Sequence, residues 1–297
     1  MSYSMLNSSC ISFTFGKRDF NRDVMHRIIF LILLAMLASS CKNSVILGNK
    51  EQETDTIASG SDTTLSKAYY EDGALKSVSQ MKNGLRNGLT KNFYRNGALL
   101  SEVHYANGLR NGVAVNYYKE GGVHARIPYR NDVKEGEAVW YYPSGKPYRI
   151  TPYHQNLIDG IQRFFYESGQ LQAEVPWKKG QPGTGLKEYT ESGRLIREPS
   201  VVVRPERLND AVILYISLSD ESRNVTFYQG ELTEGRYLNR NLRQLKTTGG
   251  KSIIQFRPSD PETTPKEFHI VAIKETSLRN QQILYRKYRY HYPPGNE

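Results

Sequence analysis

Six glycines, Gly73, Gly97, Gly121, Gly145, Gly169 and Gly193, stand 24 residues apart without a slip. Each follows an aromatic pair or its remnant: Tyr69-Tyr70, Phe93-Tyr94, Tyr117-Tyr118, Tyr141-Tyr142, Phe165-Tyr166 and Tyr189-Thr190. A second ladder, Gly88, Gly112, Gly136 and Gly160, runs in phase with the first. A fixed period of this length means that one supersecondary unit is stacked on itself, because a single unit cannot bury its apolar face alone. Such a chain builds an extended surface rather than an enclosed pocket. Its function is therefore to be sought in what that surface displays.

With each turn glycine counted as zero, position two is filled by Leu75, Leu99, Val123, Pro147, Leu171 and Leu195. Position eight carries a large side chain, in Met81, Tyr105, Tyr129, Tyr153 and Trp177. Position twelve carries Leu85, Leu109, Val133 and Leu157, and Gln181 breaks that row. Even separations place side chains on one face of an extended strand, and the three-four spacing of an amphipathic helix is missing. Asp72-Gly73, Asn96-Gly97, Ser144-Gly145 and Ser168-Gly169 accept positive φ in tight hairpin turns. The other connection, as in Asn83-Gly84-Leu85-Arg86-Asn87-Gly88, reads as a longer glycine-bearing loop. Each unit is thus predicted to be one β-hairpin. Six units make an antiparallel meander of about twelve strands, roughly 50–60 Å long at ~4.8 Å per strand. Pro128, Pro152 and Pro176 share one repeat position. Because proline donates no ladder hydrogen bond, the first strand of those units is expected to end or bulge there, with its regular part between positions two and six.

The strings Tyr-Tyr-Glu-Asp-Gly-Ala-Leu-Lys, Phe-Tyr-Arg-Asn-Gly-Ala-Leu and Phe-Tyr-Glu-Ser-Gly-Gln-Leu, with their loop glycines, resemble the MORN-repeat variant gathered in the YwqK-like antitoxin family. The resemblance covers about residues 67–198. It implies an array that holds a protein partner, with an antitoxin or immunity role in which that partner is a toxin. Departures are local: Asp132 and Asn156 replace one loop glycine, Thr184 replaces another, and Thr190 ends the aromatic row. They mark the last unit as an atypical capping repeat, which stacked arrays need.

The N-terminus addresses the compartment. Met25-His26-Arg27 precedes an unbroken apolar run, Ile28 to Ala38, and then Ser39-Ser40-Cys41. A basic head, an apolar stretch and small residues before a break form a secretory signal, and the run is shorter than the ~20 residues that span a bilayer. Leu37-Ala38-Ser39-Ser40-Cys41 resembles a bacterial lipobox, which implies cleavage before Cys41 and lipid on its sulfur. Residues 1–40 are accordingly read as the signal region, with Met25 as the expected start. Residues 41–66, polar and aperiodic, are read as the lipidated cysteine and a flexible tether of roughly 25–30 Å. The net charge of +10 falls to +8 once four basic and two acidic residues leave with the signal. That excess suits an anionic surface or an acidic partner; export argues against nucleic acid as that partner. The expected location is the cell envelope, on the periplasmic side of the outer membrane.

After Pro199 the rhythm stops. Segments Ala211–Ser219, Val225–Tyr228, Ser252–Phe256, Phe268–Lys274 and Ile283–Tyr292 are rich in β-branched and aromatic residues. Short strands at this spacing predict a small β-sandwich over residues 200–297; a β cap continuing the repeat sheet is the alternative. The fold class is therefore all-β, an elongated meander of six hairpin repeats (residues 67–199) followed by that domain.

No metal-ligand spacing, phosphate loop or nucleophile elbow is present among the histidines, cysteines and serines. Neither cofactor, metal nor catalytic residue is expected. The candidate binding surface is the aromatic row Tyr105, Tyr129, Tyr153 and Trp177, together with Tyr118, Tyr142 and Tyr166 from the pairs. Rows of this kind form the core of a thin sheet on one face. On the other they are suited to grip a peptide, a sugar polymer or lipid headgroups. The run Tyr285-Arg286-Lys287-Tyr288-Arg289-Tyr290-His291-Tyr292 interleaves cations with aromatics, and reads as a terminal strand with solvated charges. A protein-binding scaffold is the leading reading. An antitoxin and a carbohydrate- or lipid-binding module are the alternatives.

Overall fold

The computed structural model describes residues 55–59, 63–258 and 266–291. Cys41, the signal region and the first part of the expected tether lie outside them. From Asp55 to Glu188 the chain builds one antiparallel sheet of sixteen strands. They are β1 (Asp55–Ser59), β2 (Thr63–Tyr69), β3 (Leu75–Lys82), β4 (Leu85–Phe93), β5 (Leu99–Ala106), β6 (Leu109–Arg110), β7 (Gly112–Tyr117) and β8 (Val123–Arg130). There follow β9 (Val133–Lys134), β10 (Gly136–Tyr141), β11 (Pro147–His154), β12 (Leu157–Ile158), β13 (Gly160–Phe165), β14 (Leu171–Lys178), β15 (Gln181–Pro182) and β16 (Lys187–Glu188). The principal path runs β1-β2-β3-β4-β5-β7-β8-β10-β11-β13-β14-β15; the short β6, β9, β12 and β16 hang on β5, β8, β11 and β14. This is the predicted meander.

The first turn of each unit repeats one geometry. In the second unit the Gly97 N–H donates to the Tyr94 carbonyl (2.9 Å) and the Tyr94 N–H to the Ala98 carbonyl (2.8 Å). Gly97 sits at φ +82°, a conformation that a side chain opposes. The register slips by one residue beside it, between Asn92 and Phe93, so the turn carries its own bulge.

Three features differ from the sequence reading. The sheet begins at Asp55, inside the stretch read as tether, because Asp55–Ser59 pair residue by residue with Lys67–Thr63. The second connection is not a long loop. Asn83 (φ +52°) and Gly84 (φ +74°) alone make the turn, with Lys82 opposite Leu85. Two central residues at positive φ match the right-handed strand twist, and Asp132 and Asn156 tolerate that geometry at φ +66°. The remainder of the expected loop is strand, interrupted within its own hairpin by a bulge around Gly88, Gly112, Gly136 and Gly160.

The third difference concerns the prolines. Strands β8, β11 and β14 run straight through them, with Val113 opposite Pro128, Glu137 opposite Pro152 and Ile161 opposite Pro176. The Pro128 carbonyl accepts from the Glu135 N–H (3.2 Å), and Pro152 and Pro176 repeat this with Asp159 (3.1 Å) and Gly183 (2.9 Å). In an extended strand the N–H and C=O of one residue point to the same side. The missing proline N–H therefore faces the bulge, where no acceptor is lost. The bulge glycine makes room for the ring, since a Cβ on Gly160 would lie 3.1 Å from Pro152 Cγ.

Residues from Val201 form two four-stranded antiparallel sheets. One orders β17 (Val201–Leu208), β18 (Ala211–Leu218), β22 (Lys251–Phe256) and β21 (Thr247–Thr248). The other orders β20 (Arg243–Gln244), β19 (Val225–Gln229), β23 (Lys266–Glu275) and β24 (Gln281–Tyr290). Alternate residues, among them Val212, Leu214, Ile216 and Leu218 from one sheet and Phe227, Phe268, Ile270 and Leu284 from the other, close a common core. This is the expected sandwich. The segment between β19 and β20 covers the outer face of the second sheet, placing Leu232, Leu238 and Leu242 against Val271 and Ile283.

That same segment reaches the last hairpin of the array. The Leu238 N–H donates to the Pro182 carbonyl (3.0 Å) and the Thr184 N–H to the Arg236 carbonyl (3.0 Å). Lys178 pairs with Glu234 at 2.6 Å. On β16 the buried Glu188 accepts from Thr276 Oγ1 (2.6 Å) and Asn280 Nδ2 (2.8 Å) at the β23–β24 turn. An open sheet edge invites further pairing; here the sandwich occupies it.

Candidate functional site

Directly opposed residues of antiparallel strands share a face, so the register sorts the array into rows. One row crosses every repeat: Ser77, Asn92, Ser101, Asn116, Ala125, Trp140, Arg149, Phe164, Ala173 and Glu188. Two residues further along each first strand, and so on the same face, lie Ser79, Val103, Ile127, Thr151 and Val175, opposed by Thr90, Ala114, Ala138 and Gln162. Small members of these rows are almost fully buried, Ala138 and Ala173 at 0 % exposure. Larger side chains to either side cover them.

Two residues further again come Tyr105, Tyr129, Tyr153 and Trp177, all half-buried. Each tyrosine is opposed within its hairpin by the residue just past the tight turn: Tyr105 by Arg110, Tyr129 by Lys134, Tyr153 by Ile158. On the preceding strand each faces a bulge glycine, Gly88, Gly112 or Gly136. The space beside that glycine is taken by the cation two residues earlier. Arg86 lies 5.3 Å from the Tyr105 ring centroid, Arg110 4.2 Å from Tyr129 and Lys134 4.9 Å from Tyr153. The outcome is a stack of three cation–ring pairs in one row, Arg86-Tyr105-Arg110-Tyr129-Lys134-Tyr153, in which each pair's ring stands in register opposite the next pair's cation. Exposed contacts of this type contribute ~0.5–1 kcal/mol each.

Arg86 Nη1 also donates to the Tyr105 hydroxyl (3.3 Å). Arg110 Nε donates to Asp132 Oδ1 (2.6 Å), which raises the basicity of the guanidinium and lowers the carboxyl below its ordinary range. Trp177 ends the row against Ala173, Val175 and Leu186. Its indole N–H is buried without an acceptor, as is Arg149 Nε, whose guanidinium stacks 4.0 Å from Trp140.

Tyr118, Tyr142 and Tyr166 occupy a different environment. Their hydroxyls, with those of Tyr70 and Tyr94, donate to the carbonyls of Tyr141, Phe165, Tyr189, Phe93 and Tyr117 at 2.5–2.9 Å. Each bond spans 23 residues and ties one repeat to the next. Burial raises the pKa of all three phenols. The structure therefore does not bring them together with Tyr105, Tyr129 and Tyr153; they are inter-repeat fasteners. The turn glycines Gly73, Gly97, Gly121, Gly145, Gly169 and Gly193 all hold positive φ at hairpin turns.

The opposite face is charged in both signs. Lys91 pairs with Glu102 (3.2 Å), Arg163 with Glu174 (3.6 Å) and Glu137 (3.9 Å), and Lys187 with Glu174 (3.9 Å). Glu102 also accepts from the Tyr117 hydroxyl (2.7 Å), which lowers its pKa. His104 is exposed, and His154 bonds Glu135 at 2.8 Å. In the terminal strand Lys287 and Arg289 both pair with Glu267 (2.7 Å each), and Arg286 donates to the Val201 carbonyl (2.7 Å). The interleaved run is thus a strand whose cations have internal partners. Among the described residues no three His, Cys, Asp or Glu side chains converge as a metal site.

The stacking cations Arg86, Arg110 and Lys134 were not singled out from the sequence, although they too recur every 24 residues. A family model described as MORN repeat variant matches residues 86–107, 134–155 and 158–179. All three windows start just past a tight turn, in the same frame as the repeats above. No curated protein matches the chain.

Proposed function

On the premise that this is a MORN-repeat protein, we propose that it is a non-enzymatic scaffold that holds a protein partner on the tyrosine–cation face of its array. The stack Arg86-Tyr105-Arg110-Tyr129-Lys134-Tyr153 carries this reading. It presents the residue types enriched at energetic centres of interfaces, Tyr and Arg, in a pre-ordered row whose side-chain entropy is already restricted. The apolar run before Cys41 supports an exported, lipid-anchored form on the periplasmic side of the outer membrane. An antitoxin or immunity role is one form of the same activity, with a toxin as the bound partner.

A photo-crosslinking residue placed at Tyr129 in intact cells is expected to capture a defined partner, whereas one at Val113 on the opposite face is not. Equal capture from both positions, or none from either, overturns the scaffold. Palmitate labelling lost in Cys41→Ser supports the anchor; labelling that persists in that variant removes it.

A further inference from the structure

The two faces of the array differ in how their charges are distributed. On one, Glu102, Glu137 and Glu174 intersperse with cations, and four ion pairs form. On the other, the stack carries Arg86, Arg110 and Lys134, and the row beyond its neighbour carries Arg149. The only carboxylate of its three rows is Glu188, at the capped end, buried and bonded to Thr276 and Asn280. Asp132, in a turn, answers Arg110. Arg86 and Lys134 have no ion pair among the described residues, and Arg86 is exposed.

The stack also has a spacing. Equivalent residues of successive repeats are two strands apart, or ~9.6 Å. Three residues of a polyproline-type chain make one full turn, rise ~9.3 Å and return the side chain to the same side. One face of each ring is covered by a cation, and the polar groups that the row offers a ligand are guanidinium and ammonium N–H donors and tyrosine hydroxyls. A carboxylate accepts from such donors in a charge-assisted and, for arginine, bidentate bond. A hydroxyl between them suits a backbone N–H.

Resting on the reading that this face holds a partner, we propose that the partner segment is an acidic polypeptide in the polyproline-type conformation with carboxylates three residues apart, laid along Arg86, Arg110 and Lys134. The full chain is titrated with fluorescent peptides of roughly twelve residues, carrying glutamates every third position or the same number clustered at one end. The spaced peptide is expected to bind more tightly. Its affinity is expected to fall about tenfold on Arg86→Glu or Lys134→Glu and to weaken with salt. Arg86→Gln, with an unchanged melting curve, controls for folding.

Equal affinity for spaced and clustered peptides, or insensitivity to both charge reversals, overturns the proposal. So does binding confined to phosphatidylglycerol vesicles or to a uronic-acid polymer. If neutral or basic peptides bind instead and Tyr129→Ala abolishes it, the scaffold stands and the acidic partner falls. If no peptide binds and crosslinking from Tyr129 captures nothing, both fall.

Discussion

Removal of the Tyr142 hydroxyl tests the inter-repeat fasteners. Tyr142 Oη donates to the Phe165 carbonyl at 2.8 Å. Tyr142→Phe keeps the ring and its contact with Tyr148, whose centroid is 5.4 Å away, and deletes one hydrogen bond. A typical intramolecular bond contributes ~1 kcal/mol net, and a carbonyl left without its donor adds a desolvation cost when it is buried. The phenol is only partly buried, so the loss is expected at ~1 kcal/mol. With a urea slope of about 2 kcal/mol/M the midpoint falls by ~0.5 M. Tyr94→Phe and Tyr118→Phe delete equivalent bonds one repeat apart with no shared partner. The triple variant should therefore lose ~3 kcal/mol, since non-contacting sites are nearly additive. The chain's two tryptophans, Trp140 and Trp177, both lie in the array and report its unfolding by fluorescence. Tyr129→Phe is the control, because its ring sits in the cation stack; a change within ~0.5 kcal/mol is expected. If Tyr142→Phe costs no more than Tyr129→Phe, or the triple no more than the single, the fasteners do not hold the repeats together.

Glu188→Ala removes the acceptor shared by Thr276 and Asn280 and is expected to cost ~2 kcal/mol, with hydrogen exchange rising first at the β16 edge rather than in β3 or β4. Trp177→Phe removes a buried N–H that has no acceptor. The gain from losing that unsatisfied donor, ~1 kcal/mol, offsets lost packing, so urea stability should change by less than ~1 kcal/mol, against ~3–5 kcal/mol for a fully packed tryptophan truncated to alanine. Glu102 has its folded pKa lowered, chiefly by the Tyr117 hydroxyl. A depressed carboxyl contributes stability that is present above the ordinary carboxylate pKa and lost as pH falls through the folded value. Between about pH 5 and pH 3, Tyr117→Phe should therefore flatten the fall in urea midpoint; an unchanged slope would remove that bond from the acid response.

Much of this architecture was legible in the chain. The turn glycines could be read because a positive φ at a hairpin is a local demand that few residues meet, and it recurs every 24 residues. Alternation at positions two to eight located the strand faces, and β-branched segments after Val201 located the sandwich. The prolines misled because a missing N–H matters only on the side where a partner waits. At Pro128 that side is the bulge at Gly136. The aromatic pairs looked alike in sequence, yet one member of each became a fastener across 23 residues, while the position-eight tyrosines joined the cations. No local signal separates these fates, since each depends on which carbonyl or guanidinium the next repeat brings alongside.

By itself, then, the sequence determined the unit, its six-fold repetition and the hairpin form, because backbone sterics at Gly73 and its successors act within a few residues. The tertiary structure decided which residues meet across repeats. The register sets Gly88, Gly112 and Gly136 opposite Tyr105, Tyr129 and Tyr153 of the following hairpin, so that Arg86, Arg110 and Lys134, two residues before those glycines, fall over the rings in the space the glycines leave open. It also decided that the array ends at the sandwich, because the acceptor and donors that close its edge, Glu188 with Thr276 and Asn280, lie about ninety residues apart in the chain.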